Sequence, residues 1–156
     1  MTDTQGGADA TNGNAADWFV DRHLREGRAD KPAFIEAWEE GRTLTYGALA
    51  DRAARCASAL DRASLRREER AAMFVLDQIE FPEIFWGALK AGVQPIALNT
   101  LLSTDVYRTI LEDSRASIAF VSHELLDVIL PALTDSAYVR QIVVIGGTAP
   151  TGTMSY

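Results

Sequence analysis

Hydrophobic and polar residues follow two patterns along most of this chain, one helical and one typical of buried strands. Over residues 46–62, apolar side chains recur at spacings of three and four, while arginine and aspartate occupy the other positions, which predicts an amphipathic helix. Uninterrupted apolar runs of strand length are typical of strands that are covered on both faces of a sheet. One such run predicts a strand at 71–76, and further, mainly apolar segments predict strands at 93–98, 117–121 and 141–145.

Helical patterns separate these predicted strands. One helix is expected over 81–91 with Gly92 after its end, and Ser103 is the predicted N-cap of the next helix. The expected buried residues of that second helix are Val106, Tyr107, Ile110 and Leu111. Ser122 is the predicted N-cap of a third helix, which Pro131 should end or kink. This alternation predicts an α/β fold, an open and mostly parallel sheet with right-handed crossovers and helices on both faces.

The beginning of the chain is organised differently. Residues 1–14 carry no large apolar side chain after the initial methionine, which predicts a disordered tail. A first helix is expected over 15–26, with Asn14 as its N-cap and Gly27 as its terminator. The apolar side chains of this helix are Trp18, Phe19 and Leu24.

A short antiparallel hairpin is expected before the parallel sheet. Apolar runs at 33–38 and 43–46 flank a turn that contains Gly41, which is typical of a hairpin connection. Together these patterns predict one α/β unit over 15–146. The small residues that follow, 147–156, are expected to form a linker or a truncated end.

Composition and charge narrow the classes of protein that remain possible. The 156 residues suffice for a single core, and 47% hydrophobic with 24% charged residues excludes collagen-like and wholly disordered chains. The 15 basic and 22 acidic residues give a net charge of −7, which disfavours nucleic acid and anionic membranes as partners. The first residues lack a secretion signal, and no 18 consecutive residues are apolar. A single cysteine excludes an internal disulfide. These observations together predict a cytoplasmic location.

Open parallel sheets bind ligands beyond the carboxyl ends of their strands, so the residues that follow the predicted strands are the first candidates for a site. They include one carboxylate, Asp77, and one imidazole, His123, but no basic side chain that could hold a phosphate. Asp77 is either a ligand group or the cap of the following helix, which is the more common role. His123 is either a site residue or a partly exposed histidine of a first helical turn.

Three further features allow both a functional and a structural interpretation. The loop at 146–153 is rich in small residues that could wrap a phosphate, but no lysine follows it and Pro150 removes a donor, which favours a linker. Cys56 lies on the apolar side of its helix, where a thiol behaves as a small hydrophobe, and with two histidines in the chain it provides no zinc site. The mixed charges at 66–70 are typical of a solvated turn.

Four sequence motifs occur in order along the chain. They are KPAFI at 31–35, LTYGAL at 44–49, EER leading into MFVLD over 68–77, and FWGALKAGVQPIALNTLL at 85–102. Within LTYGAL, Thr45 is the predicted cap of a helix. In this order and spacing the four motifs resemble the N-terminal part of AMP-forming acyl- and aryl-CoA ligases of the adenylate-forming superfamily, over about residues 14–144. Many members of that family have Asn-Pro where this chain has Asn99-Thr100, and NTLL looks most like the benzoate-CoA ligase branch.

The resemblance implies a piece of an enzyme that activates a carboxylic acid in two steps. In the implied reaction, the carboxylate attacks ATP to give an acyl-adenylate and pyrophosphate, and the thiol of coenzyme A then displaces AMP. The phosphate loop, acyl pocket and C-terminal lysine of the family lie beyond the similar region, so no catalytic residue is carried over and no cofactor is predicted to bind this chain. The resemblance implies ATP, Mg²⁺ and coenzyme A for the full-length relative, with a small aromatic carboxylic acid and the remainder of the ligase chain as partners.

The sequence therefore supports three hypotheses. The leading one is an N-terminal fragment of an aryl-acid CoA ligase that is inactive alone, because attack of a carboxylate on ATP requires cationic charge that these strand ends do not supply. A self-contained, flavodoxin-like binding or interaction domain is the alternative that the regular alternation of strands and helices allows. A small nucleotide binder that uses the loop at 146–153 is the third.

Overall fold

The computed structural model describes residues 13–38 and 40–156. Its helices are a π-helical stretch (Asp17–Asp21) that continues into α1 (Arg22–Arg25), then α2 (Tyr46–Arg62), α3 (Glu80–Lys90), α4 (Thr104–Ser114), a 3₁₀ turn (His123–Leu125) and α5 (Leu126–Thr134). Its strands are β1 (Pro32–Ile35), β2 (Thr43–Thr45), β3 (Arg70–Phe74), β4 (Gln94–Ala97), β5 (Ile118–Ser122), β6 (Gln141–Ile145) and β7 (Met154–Ser155).

The main sheet has five strands in the order β4-β3-β5-β6-β7, and every neighbouring pair is parallel. Counted along the chain within the sheet, this order is 2-1-3-4-5, the doubly wound order of flavodoxin-like folds. β1 and β2 form a separate antiparallel pair. The predicted parallel sheet and the predicted hairpin before it are therefore both confirmed.

Helices cover both faces of the main sheet, as the alternation of patterns predicted. On one face, α2 and α3 pack against alternate residues of the strands, including Met73, Phe120 and Val143. On the other face, α4 and α5 pack against the intervening residues, including Phe74 and Val144. Successive residues of one strand thus contact opposite helical layers, because side chains of a strand alternate in direction.

Two of the four predicted helix caps hold a side-chain hydrogen bond. Thr45 Oγ1 accepts a hydrogen bond from Ala48 N at the start of α2, and Asn14 Oδ1 accepts one from Ala16 N. Ser103 and Ser122 stand at their predicted N-cap positions, but neither side chain makes a cap hydrogen bond, so that part of the prediction is wrong. The first 12 residues of the predicted tail lie outside the described part of the chain.

The structure shows which apolar residues of the first helix are buried, and it corrects one prediction of a buried residue on α4. Trp18 and Phe19 are half exposed, because Ala16 and Val20 take the buried positions. Phe19 stacks on Trp86 at a ring distance of 5.6 Å. Val106, expected to be buried, is exposed on α4.

Pro131 does not end its helix. α5 continues to Thr134, and the buried residues Ala132 and Leu133 hold the last turn against the sheet, which offsets the hydrogen bond that proline cannot make. The segment 147–156, expected to be a linker or a truncated end, contributes β7, in which Met154 lies opposite Val143 of β6. A strand of two residues leaves no periodicity in the sequence, so this element could not be predicted.

A buried carboxylate joins the hairpin to α3. Glu36 is 8% exposed and accepts hydrogen bonds from the backbone N and the guanidinium of Arg42, and from Ile79 N at the start of α3. Arg42 also donates to Glu80, at 2.6 and 2.8 Å. The hydrogen bonds from the Arg42 side chain, more than any other cause, lower the pKa of Glu36 to about 2.

We expect the Glu36→Gln variant to unfold at a lower urea concentration than the wild type at pH 7. The pKa of Glu36 is lower in the folded protein than its ordinary value of 4.5, so its stabilising contribution is complete above about pH 4.5 and is lost as the pH falls toward 2. Urea unfolding followed between pH 7 and pH 2 should show a flatter pH dependence for the variant. Glu112→Gln, at an exposed position of α4, is the control and should follow the wild type; equal behaviour of the two variants would contradict this role of Glu36.

Candidate functional site

The strand order opens a crevice at one place on the carboxyl edge of the sheet. β3 and β5 are neighbours, yet the chain leaves β3 toward α3 on one face and leaves β5 toward α5 on the opposite face. In doubly wound sheets, ligands bind where two neighbouring strands separate in this way. The candidate site therefore lies between residues 75–78, after β3, and residues 122–123, at the end of β5.

Ser122 joins the two sides of this crevice. Its side chain is fully buried, and Oγ accepts hydrogen bonds from Leu76 N at 3.0 Å and from Gln78 Nε2 at 3.1 Å. The hydroxyl thus fixes the backbone after β3 relative to the end of β5. The sequence did not predict that Ser122 bonds to Leu76 and Gln78, because these hydrogen bonds join residues more than 40 positions apart.

Asp77 lies at the rim of the crevice with its side chain exposed. The interpretation of Asp77 as the cap of the following helix is wrong, because α3 begins at Glu80 without a side-chain cap and the carboxylate that bonds its first turn, at Ile79 N, comes from Glu36. The structure leaves Asp77 facing solvent beside the candidate site. Its interpretation as a ligand group stays a prediction.

His123 and the loop after β6 are brought together by the fold. A Cβ atom added to Gly147 would overlap the imidazole of His123, so the ring lies directly against the backbone of that glycine. The groove beside this contact has a volume of about 740 Å³, and its polar lining includes Glu124, Asp127 and Thr148. No lysine or arginine lines the groove, and two carboxylates do, so its charge is unfavourable for a phosphate.

Paired alanine substitutions in the loop after β6 separate backbone strain from this ring contact. Gly146 (φ +68°) and Gly147 (φ +60°) both have left-handed backbones, but a Cβ on Gly146 would meet nothing within 4 Å. We expect Gly146→Ala to lower the free energy of unfolding by about 1 kcal/mol, and Gly147→Ala by about 2–3 kcal/mol because the ring must also move. Urea unfolding measures both values.

The same substitutions in a His123→Ala background provide the control. Removing the imidazole should reduce the effect of Gly147→Ala to that of Gly146→Ala, because only the backbone strain then remains. Equal effects of the two substitutions in the wild-type background would show that the ring contact has no energetic consequence.

The turn after β4, which carries the NTLL motif, is held rigidly at the same edge of the sheet. Asn99 Oδ1 accepts a hydrogen bond from Leu101 N at 2.8 Å. The hydroxyl of the fully buried Tyr107 donates to Asn99 O at 2.9 Å and accepts from Leu102 N at 3.1 Å. Leu101 is 90% exposed, so the turn presents an apolar side chain to its surroundings.

The segments that follow β3, β4, β5 and β6 at this edge carry no positive charge of their own. Residues 75–79, 98–103, 122–125 and 146–153 contain neither lysine nor arginine. Lys90, one of two lysines in the chain, pairs with Asp21 at the far end of α3. Across residues 13–38 and 40–156, no group of three histidine, cysteine, aspartate or glutamate side chains could hold a metal ion.

The two remaining candidates from the sequence lie away from the crevice. Burial raises the pKa of the Cys56 thiol to about 12, which agrees with the prediction of a core residue. The charge cluster at 66–70 precedes β3 at the opposite edge of the sheet, where Glu69 accepts hydrogen bonds from Arg66 N and from the Arg140 guanidinium. No helix in the described part of the chain is long and apolar enough to cross a membrane.

The strand order and the crevice between β3 and β5 define an open, doubly wound α/β domain of the type that binds ligands at its carboxyl edge. A family model described as AMP-binding enzyme matches residues 20–154. The chain belongs to the AMP-binding enzyme family. A match that extends through almost the whole α/β unit does not favour the alternative of an unrelated, self-contained binding domain.

Several of the similar proteins are named as CoA ligases of aromatic acids. The chain is 45% identical over 139 residues to a 4-hydroxybenzoate–CoA/benzoate–CoA ligase of Rhodopseudomonas palustris and 43% identical over 135 residues to a benzoate–CoA ligase of Thauera aromatica. These matches cover 88% and 86% of this chain but only 25% of each relative. The crystal structure of an anthranilate CoA ligase in complex with anthranoyl-AMP superposes with a TM-score of 0.82 at 31% identity, covering 91% of this chain and 26% of that one.

Proposed function

We propose that this chain is the N-terminal part of an ATP-dependent, AMP-forming ligase that joins a small aromatic carboxylic acid of the benzoate type to coenzyme A. The observation that carries the proposal is the sequence identity of 43–45% to two benzoate–CoA ligases, over 86–88% of this chain. A cytoplasmic location belongs to the proposal, since the reaction consumes ATP and coenzyme A.

The described residues do not fit a complete site for magnesium and ATP. Formation of an acyl-adenylate brings a carboxylate against a triphosphate, which requires cations to offset the repulsion of the two anions. The segments that follow the strands supply no lysine or arginine, Arg42 beside them is already paired with Glu36 and Glu80, and the described residues offer no metal-binding cluster. We therefore assign to this chain no step of the reaction, and propose that it supplies one wall of the nucleotide and acyl site in a longer ligase.

The turn at 99–102 and the crevice beside Ser122 are the parts of the chain that this role would use. Both lie on the carboxyl edge, and both are fixed by hydrogen bonds to buried hydroxyl groups, those of Tyr107 and Ser122. A rigid edge that presents the exposed Leu101 is suited to bordering an apolar ligand or a neighbouring segment of protein. The aromatic acid itself would be selected by residues outside this chain.

A hybrid enzyme tests the proposal. This chain would replace the matched quarter of the Rhodopseudomonas palustris ligase, and formation of benzoyl-CoA would be measured by mass spectrometry with benzoate, ATP and coenzyme A. We expect turnover that depends on all three substrates, and none from the same relative lacking its matched quarter. A hybrid that is folded by circular dichroism but makes no benzoyl-CoA would contradict the proposed function.

A further inference from the structure

A second cavity lies on the opposite side of the molecule from the groove beside His123. It is a cleft of about 680 Å³ between α2 and the strands β5, β6 and β7, toward the amino ends of the strands. Its floor is apolar and consists of Ile118, Phe120 and Val143. Tyr156, next to β7, closes one side of the cleft, with its ring 6.3 Å from that of Phe120.

The polar lining of this cleft is mainly positive, although the whole chain carries a net charge of −7. The lining includes Arg52, Arg55 and Arg62, against a single acidic residue, Glu83. Glu83 is buried and already paired, since Arg52 donates to its Oε1 at 2.6 Å and the Tyr156 hydroxyl donates to its Oε2 at 3.3 Å. Desolvation by burial raises the pKa of this carboxyl.

Arg62 differs from the other two arginines of the cleft. Arg52 is paired with Glu83, and Arg55 with Asp51 on its own helix. Within the described ranges 13–38 and 40–156, the guanidinium of Arg62 makes neither an ion pair nor a hydrogen bond, and the residue is exposed. The cleft therefore presents an apolar floor beside an unpaired positive charge.

The sheet edge next to the cleft is also open. β7 pairs with β6 on one side and forms the end of the five-stranded sheet. Met154 and Tyr156 are each 45% exposed. An unpaired strand edge beside an apolar groove is a surface to which a further segment of polypeptide can add by backbone hydrogen bonds.

We propose that the cleft and the adjoining β7 edge bind the polypeptide that makes up the rest of a ligase of this family. The bound segment places apolar side chains over Phe120 and Val143 and a carboxylate beside Arg62. This inference rests on the proposed function, and the occupant is argued from charge complementarity and from the three quarters of the relatives' length that this chain does not span.

A second copy of this chain fits the cleft less well. In a symmetric dimer the same surface of both copies would meet, which would bring the arginines of α2 toward those of the partner. Juxtaposed like charges oppose association, whereas an acidic, amphipathic segment would neutralise Arg62. Dimers of the isolated chain with a protected cleft would favour the second copy and overturn the proposal.

Hydrogen exchange tests the inference independently of activity. Amide exchange in residues 52–63, 141–145 and 154–156 would be compared between the isolated chain and the hybrid with the Rhodopseudomonas palustris ligase. We expect exchange of these amides to slow at least tenfold in the hybrid. Unchanged exchange in a hybrid that makes benzoyl-CoA would refute the inference while leaving the proposed function intact. Slowed exchange at the cleft in a folded hybrid that makes no benzoyl-CoA would support the inference and contradict the proposed function.

Charge reversal at the cleft provides the matched comparison. In the hybrid, Arg62→Glu is expected to remove most of the tenfold protection, because it places a negative charge against the proposed carboxylate. Arg66→Glu reverses an exposed arginine that does not line the cleft and should leave the protection unchanged. Equal protection in both variants would show that Arg62 does not contact the occupant.

Discussion

Replacing Gly87 by valine is expected to lower the free energy of unfolding by about 3 kcal/mol or more, the largest effect of any single substitution proposed for this fold. Gly87 lies on α3 where this helix crosses α2. A Cβ atom at this position would stand 2.6 Å from Cβ and 2.8 Å from Sγ of Cys56, and 3.0 Å from the carbonyl oxygen of Ala53. Since one of these contacts is with backbone, the helices themselves would have to separate.

Gly87→Ala tests which of two opposing effects is larger. Alanine in place of glycine in a helix interior stabilises by about 1 kcal/mol through propensity, whereas overpacking costs about 1–3 kcal/mol. We expect the cost of overpacking to exceed the gain in helix propensity, because the Cys56 and Ala53 contacts are all 3.0 Å or shorter. Gly87→Ala should therefore lower the free energy of unfolding. Urea unfolding would measure the sign, and a Gly87→Ala variant more stable than the wild type would contradict the close crossing of α2 and α3.

A double-mutant cycle tests whether the side chain of Cys56 causes the expected destabilisation by Gly87→Ala. Cys56→Gly removes both side-chain atoms that a Cβ at position 87 would meet, so it should reduce the cost of Gly87→Ala. Additive effects of the two substitutions would show that the side chain of Cys56 is not the obstacle. The crossing also explains why a glycine occurs within the FWGALKAG motif, one of the features on which the family resemblance rests.

Elements with strong local patterns were predicted closely from the sequence. The helix predicted over 46–62 is α2, and the strand predicted over 141–145 is β6, with the same bounds in both cases. Hydrophobic periodicity and a capping threonine are local signals, which a single sequence contains. The open parallel sheet with helices on both faces was expected because alternating strands and helices permit few arrangements.

Features that depend on distant contacts could not be predicted. Glu36 bonds to Ile79, 43 residues away, and Tyr156 bonds to Glu83, 73 residues away. No local sequence pattern, such as hydrophobic periodicity or a capping residue, indicates that either pair forms a hydrogen bond. For the same reason, Ser122 was expected to cap a helix, whereas its hydroxyl joins two strands across the crevice.

The inactivity of the isolated chain is the second large expected effect. The segments that follow the strands have no lysine or arginine to offset the charge of ATP, so benzoate should not react with ATP when this chain alone is present. According to the proposed function, this chain corresponds to a quarter of a ligase and supplies only one wall of the nucleotide and acyl site. Activity should therefore appear only when the remaining polypeptide is joined to it.

Exchange of labelled pyrophosphate into ATP tests this account most directly, because it reports the adenylation step without requiring coenzyme A. The purified chain with benzoate, ATP and magnesium should give no exchange above a sample without protein, and the hybrid ligase should give benzoate-dependent exchange. Benzoate-dependent exchange by the isolated chain at a rate similar to that of the hybrid would contradict the account.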